Sequence, residues 1–264
     1  MGHGKQSIYD YPLYYDILFG WNRDAESGFY DAAFRHYGVP PGGRLLEIGV
    51  GTGQVALRLA GRGWQVTGLD VRPDMLSFLK AAAGQAGLSI RTVCADMTGF
   101  TLKQPQDGAY CPLSTFRILE SDEAALSHLR AVAGVLRGGG VYVLDLAFRA
   151  ETEAAHEPPA EQWAMRRGGV EVRTDAEKVY VEDAASGRRL TLEAGWGGSP
   201  ALRPYGSRAF VNLLDRSDAF TLEAWHPEAG RSREGISIFD VQRPGPLPMA
   251  GRGMAVLRRA AGAA

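Results

Sequence analysis

The stretch spanning residues 44–53, RLLEIGVGTG, constrains this chain more than any other. Residues 45–48 have the apolar density of a buried strand, interrupted only by Glu47. Gly49-Val50-Gly51-Thr52-Gly53 then turns the chain. Residues 54–60 (QVALRLA) resume apolar side chains at helical spacing, with Val55, Leu57 and Leu59. Strand, glycine turn and helix form the opening of a nucleotide-binding α/β domain. Glycine lets a ligand approach the main chain, and the helix start offers unpaired N–H groups.

The glycine spacing separates two readings. A dinucleotide fold wants G-x-G-x-x-G, with a pyrophosphate on the helix N-terminus. Here the order is G-x-G-x-G, and Gln54 stands where the third dinucleotide glycine would fall. Glu47, two residues before the first glycine, would repel a pyrophosphate and suits a cationic group instead. This E-x-G-x-G-x-G run resembles motif I of the class I S-adenosylmethionine-dependent methyltransferases. The resemblance implies a Rossmann-like fold, S-adenosylmethionine as cofactor, and Glu47, Gly49, Gly51 and Gly53 as cofactor-binding residues.

Two further strand ends agree. Residues 64–70 (WQVTGLD) read as a second strand ending in Asp70, about 20 residues past the glycine turn. A carboxylate there accepts two hydrogen bonds from a ribose diol. Residues 72–83 form a helix with Pro73 in its first turn. The resemblance places Val71 and Met75 on the adenine ring, with a core methionine the plainer alternative for Met75. Residues 88–95 read as a third strand, and Ala95-Asp96-Met97 resembles the family's adenine-contacting turn. Glu47, Asp70 and Asp96 thus follow three consecutive strands. The series matches an ammonium, a diol and an aminopurine.

Residues 107–116 (DGAYCPLSTF) read as the fourth strand and its exit loop, beside the transferred group in such a fold. Cys111-Pro112-Leu113-Ser114 is neither the Asn/Asp-Pro-Pro-aromatic run of adenine and cytosine N-methyltransferases nor the Pro-Cys order of cytosine C5 enzymes. Leu113 is assigned to the cofactor site. Ser114, Thr115 and Arg117 face the substrate or serve the turn and the helix start. No catalytic base is identifiable. No metal is expected: the acids of catechol-type enzymes are not evident, and two isolated cysteines, Cys94 and Cys111, make no zinc site. Both thiols fall in apolar runs and are expected to be buried and reduced.

The flanks are less regular. Residues 8–21 crowd Tyr9, Tyr11, Tyr14, Tyr15, Phe19 and Trp21 around Pro12. They weakly resemble the N-terminal flap of sugar N-methyltransferases and glycine-type N-methyltransferases. That makes Tyr14 and Tyr15 candidates for the cofactor's carboxylate, against plain core packing. Residues 24–37 predict a helix, and residues 122–136 another, capped by Ser121. Residues 137–140 (RGGG) turn into a fifth strand over 141–146. His128 is expected at the surface or half-buried. Alternating patterns at 170–174, 178–181 and 189–196 predict an inserted antiparallel sheet. A helix over 203–214, a strand over 219–226 ending in His226, a short strand over 235–241 and a last antiparallel strand over 254–258 follow.

The expected architecture is therefore α/β: a Rossmann-like, seven-stranded, mostly parallel sheet with an inserted antiparallel β lid. The expected parts are residues 1–40 as an aromatic helical flap, 41–150 and 201–264 as the cofactor-binding domain, and 151–200 as the lid. A formal net charge of -1 over 264 residues gives no electrostatic footprint for nucleic acid or membrane. The start of the chain lacks an apolar signal region, which predicts a cytoplasmic protein. The expected partner is a small-molecule methyl acceptor at nitrogen or oxygen, with the lid closing the pocket or forming a homodimer contact. Two alternatives stay open: a cofactor-binding protein without transferase activity, and a nicotinamide oxidoreductase, against which Gln54 argues.

Overall fold

The computed structural model describes residues 6–21, 23–149, 162–175, 177–194, 203–231 and 237–260. In chain order its first half runs α1 (Pro12–Leu18), α2 (Asp24–His36), β1 (Arg44–Ile48), α3 (Gln54–Gly61), β2 (Gln65–Asp70), α4 (Pro73–Gln85), β3 (Arg91–Cys94) and β4 (Gln106–Cys111). Next come α5 (Asp122–Val135), β5 (Leu136–Phe148), β6 (Trp163–Arg167), β7 (Val170–Thr174), β8 (Lys178–Asp183) and β9 (Arg188–Glu193). The chain ends with α6 (Ser207–Ser217), β10 (Phe220–Arg231), β11 (Ser237–Phe239) and β12 (Gly251–Arg259). Two compact units result: Met1–Asn22 with Glu153–Leu202, and Arg23–Thr152 with Arg203–Ala264.

In the larger unit the sheet order is β11-β10-β12-β5-β4-β1-β2-β3. The five strands β3, β2, β1, β4 and β5 pair in parallel, and β12 pairs antiparallel with β5 and β10. The expected seven strands are present, extended by the short edge strand β11. Parallel strands need helical crossovers, which cover both faces. One buried cluster packs α5 and α6 on the sheet through Leu129, Val132, Phe210 and Leu213. The other packs α2, α3 and α4 on the opposite face through Phe34, Leu59 and Leu79. Strand order reverses between β1 and β4, and such a switch point opens a crevice at the carboxyl ends of the strands.

Local signals explain several boundaries. Ser121 Oγ accepts from the Ala124 amide at 3.1 Å, capping α5 as expected. Residues 137–140 loop out between the Leu136 and Val141 pairings, opposite Asp107, so the glycine turn survives inside β5. Helix α6 starts at Ser207 rather than at 203. Pro204 disfavours helix at Arg203, and the segment instead bonds in extended form, Arg203 N to Arg117 O at 2.8 Å and Arg149 N to Tyr205 O at 3.0 Å.

The smaller unit holds the antiparallel sheet β6-β7-β8-β9. The expected strands form, and β6 joins them unanticipated, because its pattern WAMRR alternates poorly. The end of the predicted 189–196 strand lies outside the described residues, as do 235–236 of the predicted 235–241 strand. Helix α1 belongs to the same unit: Arg167 Nη2 bonds Asp16 Oδ2 at 2.6 Å, and Trp163 Nε1 bonds Leu18 O at 3.0 Å. A groove of about 830 Å³ in this unit is lined by Arg167, Gly169, Asp183 and Arg188 among others, and by none of the predicted site residues.

Three expectations are corrected. Cys94 is exposed, because β3 is the sheet's edge strand; only Cys111 is buried. His128 is fully buried, its ring bonded to Met97 O at 2.9 Å and Tyr142 Oη at 2.7 Å. His226 lies within β10 rather than at its end, bonded to Tyr37 Oη at 2.8 Å and Asp240 O at 3.1 Å. Burial lowers the basicity of both imidazoles, that of His128 to a pKa of about 4. Both histidines are structural.

Candidate cofactor site

The β1–α3 turn is built by close approach. Gly53 has φ 83°, and a Cβ there would fall 2.1 Å from Leu79 Cδ1. A Cβ on Gly49, φ 66°, would fall 2.7 Å from Thr115 Cγ2, so the β4 exit loop packs directly on the first glycine. Only glycine supplies both the positive φ and the space. Gly51 adds a donor: its amide bonds Asp70 Oδ2 at 2.8 Å, while the Arg72 amide bonds Oδ1 at 2.9 Å. Asp70 thereby ties the turn to the end of β2. Burial pushes the Asp70 carboxyl upward, partly offset by these two amides. Each oxygen keeps a further lone pair for a hydroxyl donor.

Glu47, near the end of β1, is 2 % exposed and accepts from Tyr110 Oη at 2.8 Å. Burial pushes its carboxyl up to about 8, against the pull of the Tyr110 hydroxyl. Burial therefore makes this acid harder to ionise than an ordinary glutamate. Asp96 is exposed, and Oδ1 accepts from Thr98 N at 2.7 Å and Thr98 Oγ1 at 2.6 Å, which hold its carboxyl below the usual range. Val71 is 64 % exposed, unusual for an apolar side chain, whereas Met75 is buried in α4. Met97 is half-buried and fixed through its carbonyl to His128. Tyr14 and Tyr15 belong to the smaller unit. There Tyr14 Oη bonds Asp183 Oδ2 at 3.1 Å, and the Tyr15 ring lies 4.6 Å from Phe19.

The exit loop carries strain. Leu113 and Ser114 both sit in the left-handed region, φ 56° and 53°, costing about 1–3 kcal/mol each. The Ser114 amide is held by Asp145 Oδ2 at 3.2 Å. Asp145, fully buried, is in turn gripped by Arg252 through Nε at 3.0 Å and Nη2 at 2.6 Å. Sequence reading missed Asp145, Arg252 and Tyr110, because they come from strand interiors with no motif spacing. It also missed Glu26 and Arg23. An acid in a first helical turn reads as a response to the helix dipole.

S-adenosylmethionine asks for acceptors toward an ammonium and a diol. The crevice holds the Glu47 and Asp70 carboxyls, and two buried acceptors, Thr52 Oγ1 in the turn and Glu26 Oε1, have no hydrogen-bond partner. Leaving such an atom unpaired costs about 1–3 kcal/mol, which a polar ligand would recover. The residues fit the cofactor. Among the described residues no group of His, Cys, Asp and Glu is placed to hold a metal, and no helix is long and apolar enough to cross a membrane.

Comparison with known proteins agrees with this fold. Residues 45–140 match the model of a methyltransferase domain. YqeM of Bacillus subtilis, assigned by its name to the methyltransferases, is 26% identical over 145 residues, covering 54% of each chain. iccD of Talaromyces variabilis, named an S-adenosyl-L-methionine-dependent Diels-Alderase, is 29% identical over 145 residues, 52% of this chain and 48% of that one. The chain spans about half the length of these curated relatives. The solved structure of S-adenosylmethionine-bound CalS10, an amino pentose methyltransferase from Micromonospora echinaspora, superposes with a TM-score of 0.65 at 19% identity, covering 98% of this chain and 99% of that one. That likeness is one of fold.

Proposed function

From the premise that this chain carries a class I, S-adenosylmethionine-dependent methyltransferase domain, we propose that it methylates a nitrogen or oxygen of a small molecule. The observation that carries the reading is the glycine turn locked to Asp70, with Glu47 beside it, at the switch point of the sheet. Asp70 accepts from the ribose hydroxyls; Asp96 and the exposed Val71 side chain meet the adenine; Glu47 lines the subsite of the amino-acid tail. Gly49, Gly51 and Gly53 let the ligand reach the main chain. Met75 backs α4, while Met97 and Leu113 edge the crevice.

Bound, the cofactor supplies a methyl group on a sulfonium, with a neutral thioether as leaving group. The protein then needs no nucleophile of its own. Its residues align the acceptor in line and exclude water, effects worth several kcal/mol. The Leu113–Ser114 backbone, pinned by Asp145, edges the acceptor side. A nitrogen acceptor is favoured by the fold likeness to the solved sugar N-methyltransferase KedS8. A small-molecule partner, no binding of nucleic acid or membrane, a homodimer contact through the inserted sheet, and a cytoplasmic setting belong to the same reading.

Thermal shift with S-adenosylmethionine, S-adenosylhomocysteine and NADH tests it. A ligand at a hundredfold over Kd adds about 2.7 kcal/mol. We expect a response to the first two and none to NADH. Asp70→Ala should abolish the response while the variant still folds; an undiminished shift refutes the ribose assignment. The likeness to a named Diels-Alderase favours one second reading, cofactor binding without transfer. It predicts the same shifts but no labelled methyl on any acceptor.

A further inference from the structure

Helix α2 runs against β4, and successive turns can be placed along the strand. Phe34 lies over Gly108, where a Cβ would fall 2.7 Å from its ring. One turn earlier, the Tyr30 ring is 4.9 Å from that of Tyr110. One turn earlier again, on the same helix face, stands Glu26. Because Gly108 precedes Tyr110 in β4, each step back along α2 moves toward the carboxyl edge. Glu26 therefore overhangs that edge, in the crevice where Tyr110 holds Glu47. The proximity is felt electrostatically, since the Glu26 charge raises the Glu47 carboxyl and the Tyr30 and Tyr110 hydroxyls.

Glu26 is 6 % exposed and Arg23 is 2 % exposed. Oε2 of Glu26 pairs with Arg23 Nη1 at 2.6 Å. Oε1 is buried and accepts from nothing. A folded chain rarely leaves such an oxygen bare, and here it lies at the edge where ligands enter. Resting on the cofactor reading of this crevice, we propose that Glu26 Oε1 receives the α-ammonium of the cofactor's amino-acid tail, a role the glycine motif would give to Glu47 alone. Two carboxylates in one dry crevice do not both ionise without cost. Glu47 takes neutral donors, the Tyr110 phenol and the Ala56 amide, whereas Glu26 pairs directly with the Arg23 guanidinium at Oε2, leaving Oε1 for a second cation.

Calorimetric titration with two ligands tests this. S-adenosylhomocysteine carries the tail; 5′-methylthioadenosine has the same nucleoside and thioether without it. In Glu26→Gln we expect S-adenosylhomocysteine to weaken at least about tenfold, the scale of one charge-assisted hydrogen bond, with 5′-methylthioadenosine unchanged within about twofold. Unchanged S-adenosylhomocysteine binding, or equal losses for both ligands, overturns the assignment. Glu26→Asp keeps the charge and guards against a folding defect in the glutamine variant. It should lose less S-adenosylhomocysteine affinity than glutamine does, and a loss as large overturns the assignment. A wild-type protein that binds neither ligand sinks the cofactor reading itself; one that binds both, with Glu26→Gln indifferent, sinks only the role of Glu26.

Discussion

Two stretches of the same sheet edge treat buried acids in opposite ways. At β5 and β12, Asp145 is fully buried and answered by a bidentate guanidinium from Arg252 and the Ser114 amide. Every charge there has an internal partner, and the product is a fixed exit loop. At β1 and β2, Glu47 is answered by the Tyr110 phenol and the Ala56 amide, and Asp70 by the Gly51 and Arg72 amides. Burial raises both carboxyls. An acid gripped by a guanidinium within the fold is structure; an acid held by amide and hydroxyl donors at a crevice keeps lone pairs for a ligand.

Removing the cation where one exists should have the largest effect. Arg252→Ala leaves Asp145 buried and unpaired, and a loss of about 3–5 kcal/mol is expected in denaturant unfolding. A loss under 1 kcal/mol would break the comparison.

Glu47 predicts the opposite behaviour. Its folded pKa, about 8, lies above its ordinary value of 4.5. The unfolded chain therefore releases this proton first as pH rises. Stability from Glu47 is full below about pH 4.5 and is lost as pH climbs through about 8. Glu47→Gln should match wild type near pH 4.5 and exceed it by roughly a few kcal/mol near pH 8.5, read from ligand-free melting curves. Parallel curves would show that Glu47 is charged throughout.

Tyr110→Phe sharpens the same contrast on a smaller scale. It deletes one hydrogen bond, a loss of about 1 kcal/mol. Without that donor the Glu47 carboxyl should rise further, moving the alkaline limb of the stability profile to higher pH. An unmoved limb would mean that the phenol does not stabilise the carboxylate.

The parts of this site legible in the sequence are those made by chain neighbours. The glycine turn, the acid two residues before it and the acid ending the next strand lie on one strand–turn–helix–strand unit. Their spacing alone brings Gly51 and Asp70 into a 2.8 Å bond. The Ser121 cap and the α/β alternation were legible for the same reason, since each signal acts within a turn or two of its own position. The protonation of Glu47 was not legible, because it depends on how completely Tyr110 and α2 exclude water from that carboxyl. His128 was misread for a similar reason: a polar residue in a helix says nothing about the carbonyl and hydroxyl waiting for it 31 and 14 residues away.

Local spacing therefore determined which fold could form and which loop would meet a ligand, because hydrogen bonds and backbone angles act between near neighbours. Tertiary structure alone decided which acids carry charge. Desolvation and distant partners such as Arg252 with Asp145, 107 residues apart, set that balance, and both exist only once the layers have closed.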